Sequence, residues 1–356
     1  MASNFSRIKP GLFRITYATT ILMCAAFTSI FWTLRTEGAQ VAQDKTAMQH
    51  AHRIAQSQPH VKALHERLKK EALSISDSTF RKDALTTLDR PIFSVVNANR
   101  KFEAEIIQKL QRESLLEKSS SNLFPTEEPM PFLAAPGSAW LGHHSYPGGL
   151  VYHTYANLSI GLRYAQVYRE IYGIKLRQDY IRMASILHDS AKTMTIQWNK
   201  DGSTSPSELQ IAGTSAHHIF AVAEAVFRKY PTDFIITLAS AHSPALQGQS
   251  LSTLIKYLKA AAIIANVPYS AMGLSGDGQT LKAPPPIESF INHLDDHDFV
   301  LTESSIEAVD RSLNQKTNGD PKNNQKDYWQ RDEILSRNGD LRFYQTLIGT
   351  DLSAFK

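Results

Sequence analysis

Apolar positions first form one continuous block and then recur along the chain at helical spacing. Residues 15–34, ITYATTILMCAAFTSIFWTL, contain no charged residue and are bounded by Arg14 and Arg35. A block of this length is long enough to span the hydrocarbon core of a bilayer. Farther along, apolar residues at intervals of three or four, as in VKALHERLKKEALSI at 61–75, indicate amphipathic helices. The pattern therefore predicts a transmembrane or signal segment followed by amphipathic helices.

Charges beside the apolar block predict its orientation. Arg7, Lys9 and Arg14 precede the block. The positive-inside bias then keeps residues 1–14 in the cytoplasm and takes the rest of the chain across the membrane. We predict an uncleaved single-pass anchor with the C-terminal domain on the periplasmic side. A cleaved signal, giving a secreted or periplasmic protein, and a buried core helix stay open, although RTEGAQVAQ offers no good cleavage pair.

Changes in composition divide the remaining chain into three regions. Residues 35–130 are polar and helix-friendly, and we predict a helical stalk or cap. Residues 131–275 contain apolar helices and are predicted to form the main domain. The proline-rich LKAPPPIESF then introduces residues 276–356, predicted to be a partly flexible helical extension.

Composition excludes some classes of function. The hydrophobic fraction of 42% and charged fraction of 20% are ordinary for a folded protein, and the net charge of +4 is spread along the chain. The sequence has no basic stripe with interleaved aromatic residues, so binding to duplex nucleic acid is not expected. Cys24 is the single cysteine, so no internal disulfide forms. The sequence does not indicate an oligomeric state.

Histidines recur at the ends of the predicted apolar helices, one of them beside an aspartate. In chain order these residues are His153, His188, Asp189, His217, His218 and His242. Each histidine alone is compatible with a core residue whose hydrogen bonds are satisfied. Together, neutral nitrogen donors and a carboxylate are typical of a site for a divalent transition metal rather than for calcium.

This order of residues resembles the HD-domain superfamily of metal-dependent phosphohydrolases, an all-α fold with its metal site between helices. The resemblance covers roughly residues 140–270. YPGGLVYH is similar to the branch whose first ligand follows a Gly-Gly-Leu turn, which includes the YhaM-like exonucleases. The motif ILHDSAK follows it and contains the paired histidine and aspartate.

The resemblance implies a ligand set that binds one or two divalent ions of Mn, Fe, Ni, Co or Zn. Its members are His153, His188, Asp189, His218 and His242, with His217 as the alternative to His218. Asp189 would bridge two ions. Lys192 matches the basic residue that contacts the substrate phosphate, so Asp189 and Lys192 are the expected catalytic residues.

The last expected ligand departs from the family pattern. In the family, the last ligand is an aspartate on a later helix. In this chain the matching position, within LIKYLKAAAIIANVPY, is Asn266. An amide oxygen is a weaker ligand than a carboxylate. Asp277 is an alternative source of a carboxylate. The acidic stretch NHLDDHDFV, which includes Asp295 and Asp296, is interpreted as a solvated segment.

The resemblance implies metal-dependent hydrolysis of a phosphomonoester or phosphodiester. The expected substrate is a phosphorylated small molecule, in particular a nucleotide or short oligonucleotide. Asn266 favours one alternative, a degenerate HD module that binds a nucleotide or a partner without turning it over. A second alternative is a di-iron oxygenase, since some HD-fold proteins use the same ligands for oxygen chemistry.

Overall fold

The computed structural model describes residues 45–205, 208–298, 302–303, 305–306 and 328–342 of the chain. Residues 1–14 and the apolar segment 15–34 lie outside the described residues. The anchor, its orientation and the alternative of a cleaved signal therefore stay predictions. Among the residues that the structure describes, no helix is both long and apolar enough to cross a membrane.

The described part of the chain is mostly helical, as the hydrophobic pattern predicts. Its helices are α1 (Lys45–Ser57), α2 (Pro59–Leu73), α3 (Ser78–Asp89), α4 (Ser94–Asn99), α5 (Glu103–Arg112), α6 (Gly149–Tyr172), α7 (Gln178–Leu187), α8 (Lys192–Thr195), α9 (Ala216–Phe227), α10 (Thr232–Ala239), α11 (Gln249–Ile264), α12 (Ile287–Asp295) and α13 (Trp329–Asn338). Short 3₁₀ turns lie at Arg100–Phe102, Phe132–Ala134, Tyr269–Met272 and Asp296–Asp298.

A small antiparallel hairpin is the part of this fold that the hydrophobic pattern did not predict. Its strands are β1 (Gln210–Ile211) and β2 (Thr214–Ser215). Gln210 pairs with Ser215 and Ile211 pairs with Thr214. Strands of two residues are too short to show an alternating pattern in the sequence. The hairpin leads directly into α9.

Local sequence explains where several helices begin and end. At the start of α3, the carboxylate of Asp77 accepts hydrogen bonds from the backbone N–H groups of Thr79 at 2.8 Å and Phe80 at 2.9 Å. These two N–H groups have no partner within the helix, so the aspartate caps it. At the end of α6, Gly173 has a φ of +68°. Glycine adopts this left-handed conformation without steric cost, and the helix ends there.

The Pro-Gly-Gly turn before α6 allows three segments to approach closely. A Cβ atom on Gly148 would lie 2.7 Å from Cγ1 of Val61 in α2, and one on Gly149 would lie 1.8 Å from the carbonyl oxygen of His144. Any larger residue at either position would therefore push the segments apart. The turn sets the start of α6 against α2 and against the preceding loop.

The region predicted to be a stalk or cap packs into the same core as the histidine-bearing helices. Leu68 of α2 and Leu88 of α3 are fully buried in one apolar cluster with Leu150 of α6 and Phe220 of α9. Helix α2 contacts α6, and α3 contacts α7. Helix α7 also contacts α6, α10 and α12. The described helices of the 35–130 region therefore form a layer on the central helices.

We expect Leu68→Ala to lower the free energy of unfolding of the whole described unit by about 2–5 kcal/mol, because it leaves a cavity in the shared core. Leu73→Ala is the matched control on the same helix, since Leu73 is 58% exposed. Thermal unfolding followed by circular dichroism would show one transition at a lower temperature for Leu68→Ala. If Leu68→Ala unfolds at the same temperature as the wild type, or shows a separate transition at a lower temperature, α2 folds independently of the shared core.

Candidate metal centre

The start of α6, the end of α7 and the end of α12 meet at one buried point. Nε2 of His153 lies 2.8 Å from Oδ2 of Asp189 and 3.1 Å from Oδ1 of Asp296. Nε2 of His188 lies 3.3 Å from Nε2 of His153 and 3.4 Å from Oδ1 of Asp296. Two nitrogen ligands of one tetrahedral ion lie about 3.3 Å apart, since each metal–nitrogen bond is about 2.0–2.1 Å long. These four side chains therefore have the spacing of ligands to one ion.

The second carboxylate oxygen of Asp189 faces three more imidazoles. Oδ1 of Asp189 lies 3.1 Å from Nε2 of His217 and 3.9 Å from Nε2 of both His218 and His242. His217 and His218 lie in the first turn of α9, and His242 follows the end of α10. The sequence left His217 and His218 as alternatives, but the structure brings both to the centre. Asp189 therefore lies between two groups of candidate ligands.

Key atoms of the second group lack hydrogen bonds. Within the described residues, Oδ1 of Asp189, Nε2 of His217 and Nε2 of His242 are buried and make no hydrogen bond of good geometry, although the first two atoms lie 3.1 Å apart. A buried polar group without a partner costs about 1–3 kcal/mol. One ion coordinated by these atoms would satisfy all of them. Carboxylate and imidazole are ligands that divalent transition metals accept, so the cluster could hold such an ion.

Polar groups behind the imidazoles orient several of the rings. Nδ1 of His217 lies 2.6 Å from Oε1 of Glu208, and Nδ1 of His218 lies 2.5 Å from Oγ1 of Thr214. Contacts of this kind hold a metal-binding imidazole in place and select its tautomer. The β1–β2 hairpin carries Thr214, and Glu208 lies two residues before its first strand. The sequence analysis missed both residues, because neither belongs to a motif that distinguishes it from other polar residues.

Opposite charges compensate the two buried aspartates. Burial by itself raises the pKa of Asp189, but the Lys192 ammonium and the surrounding imidazoles hold that pKa well below its ordinary value. Burial also raises the pKa of Asp296, and His242 and His188 more than offset the effect. Burial lowers the pKa of His188, whereas Asp189 and Asp296 raise it to about 9. Both carboxylates are therefore ionised at neutral pH, as metal ligands must be.

Lys192 lies beside Asp189, as the spacing of the motif predicts. Its Nζ atom donates hydrogen bonds to Oδ2 of Asp189 and to the carbonyl oxygen of Gly137, both at 2.5 Å. The side chain is almost fully buried. Its expected contact with a substrate phosphate stays a prediction.

Asn266 does not lie at this centre, and the expectation that it supplies the last ligand is wrong. It follows the C-terminal end of α11, has a φ of +53° and is exposed to solvent. Asparagine tolerates this left-handed conformation, which is common after a helix. Asp277, the alternative, is also exposed, and its carboxylate accepts a hydrogen bond from Ser275 at 2.5 Å.

Asp296 is the carboxylate that faces the histidines. It is 3% exposed, and its Oδ2 atom lies 3.3 Å from Nδ1 of His242. Asn157 of α6 donates a hydrogen bond to Oδ1 of Asp296 at 2.8 Å. The interpretation of this acidic stretch as solvated is therefore wrong for Asp296, and also for Asp295, which is 1% exposed. Packing of α12 against α6, α7 and α10 turns Asp296 inward, and no local sequence signal distinguishes it from its acidic neighbours.

We expect Asp296→Ala to weaken binding of Zn²⁺ or Mn²⁺ by more than about 100-fold, because loss of even an outer contact of a metal site costs about 10- to 100-fold. Asn266→Ala, the control, should bind as the wild type does. Titration calorimetry on metal-free protein measures both, with circular dichroism to verify folding. Unchanged affinity in Asp296→Ala, or a loss in Asn266→Ala, would contradict this assignment.

The chain is similar to one protein of known function, a dihydroneopterin 2′,3′-cyclic phosphate phosphodiesterase of Methanocaldococcus jannaschii. The two are 35% identical over 100 residues, which make up 28% of this chain and 39% of the relative. The match thus spans well under half of the relative's length. No family model matches the chain, and no solved structure matches it. Together with the buried cluster of histidine and aspartate, this similarity supports a phosphohydrolase function in general.

Proposed function

We propose that this protein is an HD-domain phosphodiesterase that uses divalent transition-metal ions to hydrolyse a phosphorylated small molecule. The observation that carries the proposal is the position of Asp189. Its two oxygens face two groups of imidazoles. Within the described residues, Oδ1 of Asp189 and Nε2 of His217 and of His242 are buried without a hydrogen bond of good geometry. A shared carboxylate between two ligand groups is suited to a pair of ions.

His153, His188 and Asp296 would hold one ion, and His217, His218 and His242 would hold the other, with Asp189 bridging the two. When bound, such ions polarise a phosphoryl group and lower the pKa of a coordinated water. The protein contributes the fixed positions of its ligands. Asn157 keeps Asp296 directed at the histidines, while Glu208 and Thr214 hold the rings of His217 and His218.

Lys192 supplies the fixed positive charge at the centre. We propose that its ammonium group compensates Asp189 and stabilises negative charge on the phosphoryl oxygens of the substrate. Its short contacts with Asp189 and with the carbonyl of Gly137 hold it in one position. A charge that is already oriented needs no rearrangement when the transition state forms, which makes its effect large.

A cyclic phosphodiester is the substrate class that we propose first. The relative acts on a 2′,3′-cyclic phosphate, and the resemblance to HD-domain enzymes implies a nucleotide-like substrate. Hydrolysis adds one water across a P–O bond of the ring and yields a phosphomonoester and a free hydroxyl group. Linear dinucleotides and phosphomonoesters are the next classes to compare.

The two other functions considered from the sequence have less support. The hypothesis of a degenerate binding module was based on Asn266 as the last ligand. The carboxylate of Asp296, rather than Asn266, faces the histidines. Similarity to a phosphodiesterase favours hydrolysis over the di-iron oxygenase reaction.

We expect the full chain, loaded with Mn²⁺ or Fe²⁺, to hydrolyse 2′,3′-cyclic nucleotides. Asp189→Asn should lower the rate to the buffer background because the shared ligand is lost. Lys192→Ala should lower kcat by about 100- to 1,000-fold, the usual cost of losing one group that stabilises transition-state charge.

His60→Ala is the control, since His60 is exposed and outside the cluster. Release of the phosphomonoester is measured by chromatography and metal content by elemental analysis. A metal-loaded wild type that hydrolyses none of the phosphodiesters and phosphomonoesters would contradict the proposed function. An Asp189→Asn variant as active as the wild type would do so as well.

A further inference from the structure

Two histidines on the loop before α6 adjoin the centre but belong to neither group around Asp189. The ring centroid of His143 lies 4.8 Å from that of His153, and the centroid of His144 lies 5.7 Å from that of His153. The centroids of His143 and His144 are 5.6 Å apart. Three imidazoles bound to one tetrahedral ion place their centroids about 5 Å apart, because each nitrogen lies about 2 Å from the ion.

The nitrogens of the two loop histidines also have ligand spacing. Nδ1 of His143 lies 3.3 Å from Nδ1 of His144, which equals the separation between Nε2 of His153 and Nε2 of His188. Two ring nitrogens at this distance can therefore bind one ion.

The loop holds His144 in a conformation that a histidine rarely adopts. Its φ is +54°. Its carbonyl oxygen accepts a hydrogen bond from the backbone N–H of Gly137 at 2.8 Å, and the missing side chain of Gly149 leaves room for the same oxygen. Backbone strain of this kind costs about 1–3 kcal/mol and persists where the surrounding structure enforces it, often at functional sites.

A buried carboxylate lies behind the ring of His144. Nε2 of His144 lies 3.8 Å from Oδ1 of Asp340, and both side chains are almost fully buried. Arg331 of α13 donates a hydrogen bond to the carbonyl oxygen of Ser145 at 3.0 Å, which holds the C-terminal segment against this loop. Metal-binding histidines usually donate their outer N–H to a carboxylate. Asp340, slightly beyond hydrogen-bond distance, is the carboxylate positioned for this contact with His144.

His153 has one ring nitrogen to spare. Its Nε2 atom faces the carboxylates of Asp189 and Asp296. Its Nδ1 atom is buried and, within the described residues, has no hydrogen-bond partner. An imidazole with a buried, unpartnered nitrogen next to two other imidazoles is the second indication of a ligand at this position.

We propose that His143, His144 and Nδ1 of His153 hold an additional divalent transition-metal ion beside the two that Asp189 would bridge. The inference rests on the proposed function, because it takes His153 as a ligand shared with the hydrolytic centre. Coordination through both nitrogens of His153 releases the remaining ring proton to solvent. A site of three imidazoles selects Zn²⁺, Co²⁺, Ni²⁺ or Cu²⁺ over Mn²⁺, which prefers oxygen ligands.

The test counts ions in the full chain after loading with Zn²⁺ and removal of the excess. We expect His143→Ala combined with His144→Asn to bind one zinc ion fewer per chain than the wild type. Asparagine at position 144 keeps the left-handed backbone accessible. Co²⁺ gives a second readout, since the visible absorption of a tetrahedral nitrogen site should be lost in this variant. His60→Ala is the matched control.

Asp340→Asn provides a test that leaves every ligand in place. It should weaken binding of the additional ion by about 10- to 100-fold, the usual cost of losing an outer partner. Thermal unfolding verifies that each variant is folded.

The outcomes separate this inference from the proposed function. If the loop variant binds as many zinc ions as the wild type while Asp189→Ala loses ions, the additional site is wrong and the hydrolytic centre stands. If the wild type binds no transition metal, both are wrong. The additional site is supported if the loop variant binds one zinc ion fewer than the wild type but keeps the ions that Asp189→Ala loses.

Discussion

The buried carboxylate of Asp189 is the interaction on which the centre depends. An isolated charge in a protein interior is strongly unfavourable unless opposite charges and hydrogen-bond donors surround it. Asp189 is 1% exposed, and its partners come from several separate helices. Lys192 and the imidazoles of His153 and His217 approach it within 3.1 Å. The ends of α6, α7 and α9 must therefore converge, and the hydrophobic core behind them fixes where they do so.

Ligand-type residues lie at helix ends throughout this centre. A helix end can direct a side chain into a shared space while the rest of the helix buries its apolar face. His188 follows α7, His218 lies in the first turn of α9 and Asp296 follows α12. The helix ends and the connections between helices therefore carry several of the candidate ligands. The Pro-Gly-Gly turn sets the start of α6, and the β1–β2 hairpin supplies Thr214 behind a histidine.

The C-terminal region contributes directly to the centre. Asp296 lies in the region that the sequence analysis treats as an extension, yet it faces the same histidines as Asp189. Asp340 lies behind His144, and Arg331 holds the loop that carries it. Segments far apart in sequence thus complete one site, which the short match to a phosphodiesterase does not reveal. The charge that Asn266 lacks is present in Asp296, and this makes hydrolysis the stronger interpretation.

The sequence by itself determined the helical class and most of the histidines that are candidate ligands. Apolar periodicity is local, and His153, His188 and Asp189 belong to short motifs at predicted helix ends, so no knowledge of packing was needed to select them. Tertiary structure alone decided that Asp296 rather than Asn266 faces the centre, that His217 and His218 both do, and that Glu208 and Thr214 lie behind them. Those assignments depend on which distant helix packs against α6 and at what angle. Packing of this kind follows from the shape of the whole core, which no single stretch of sequence encodes.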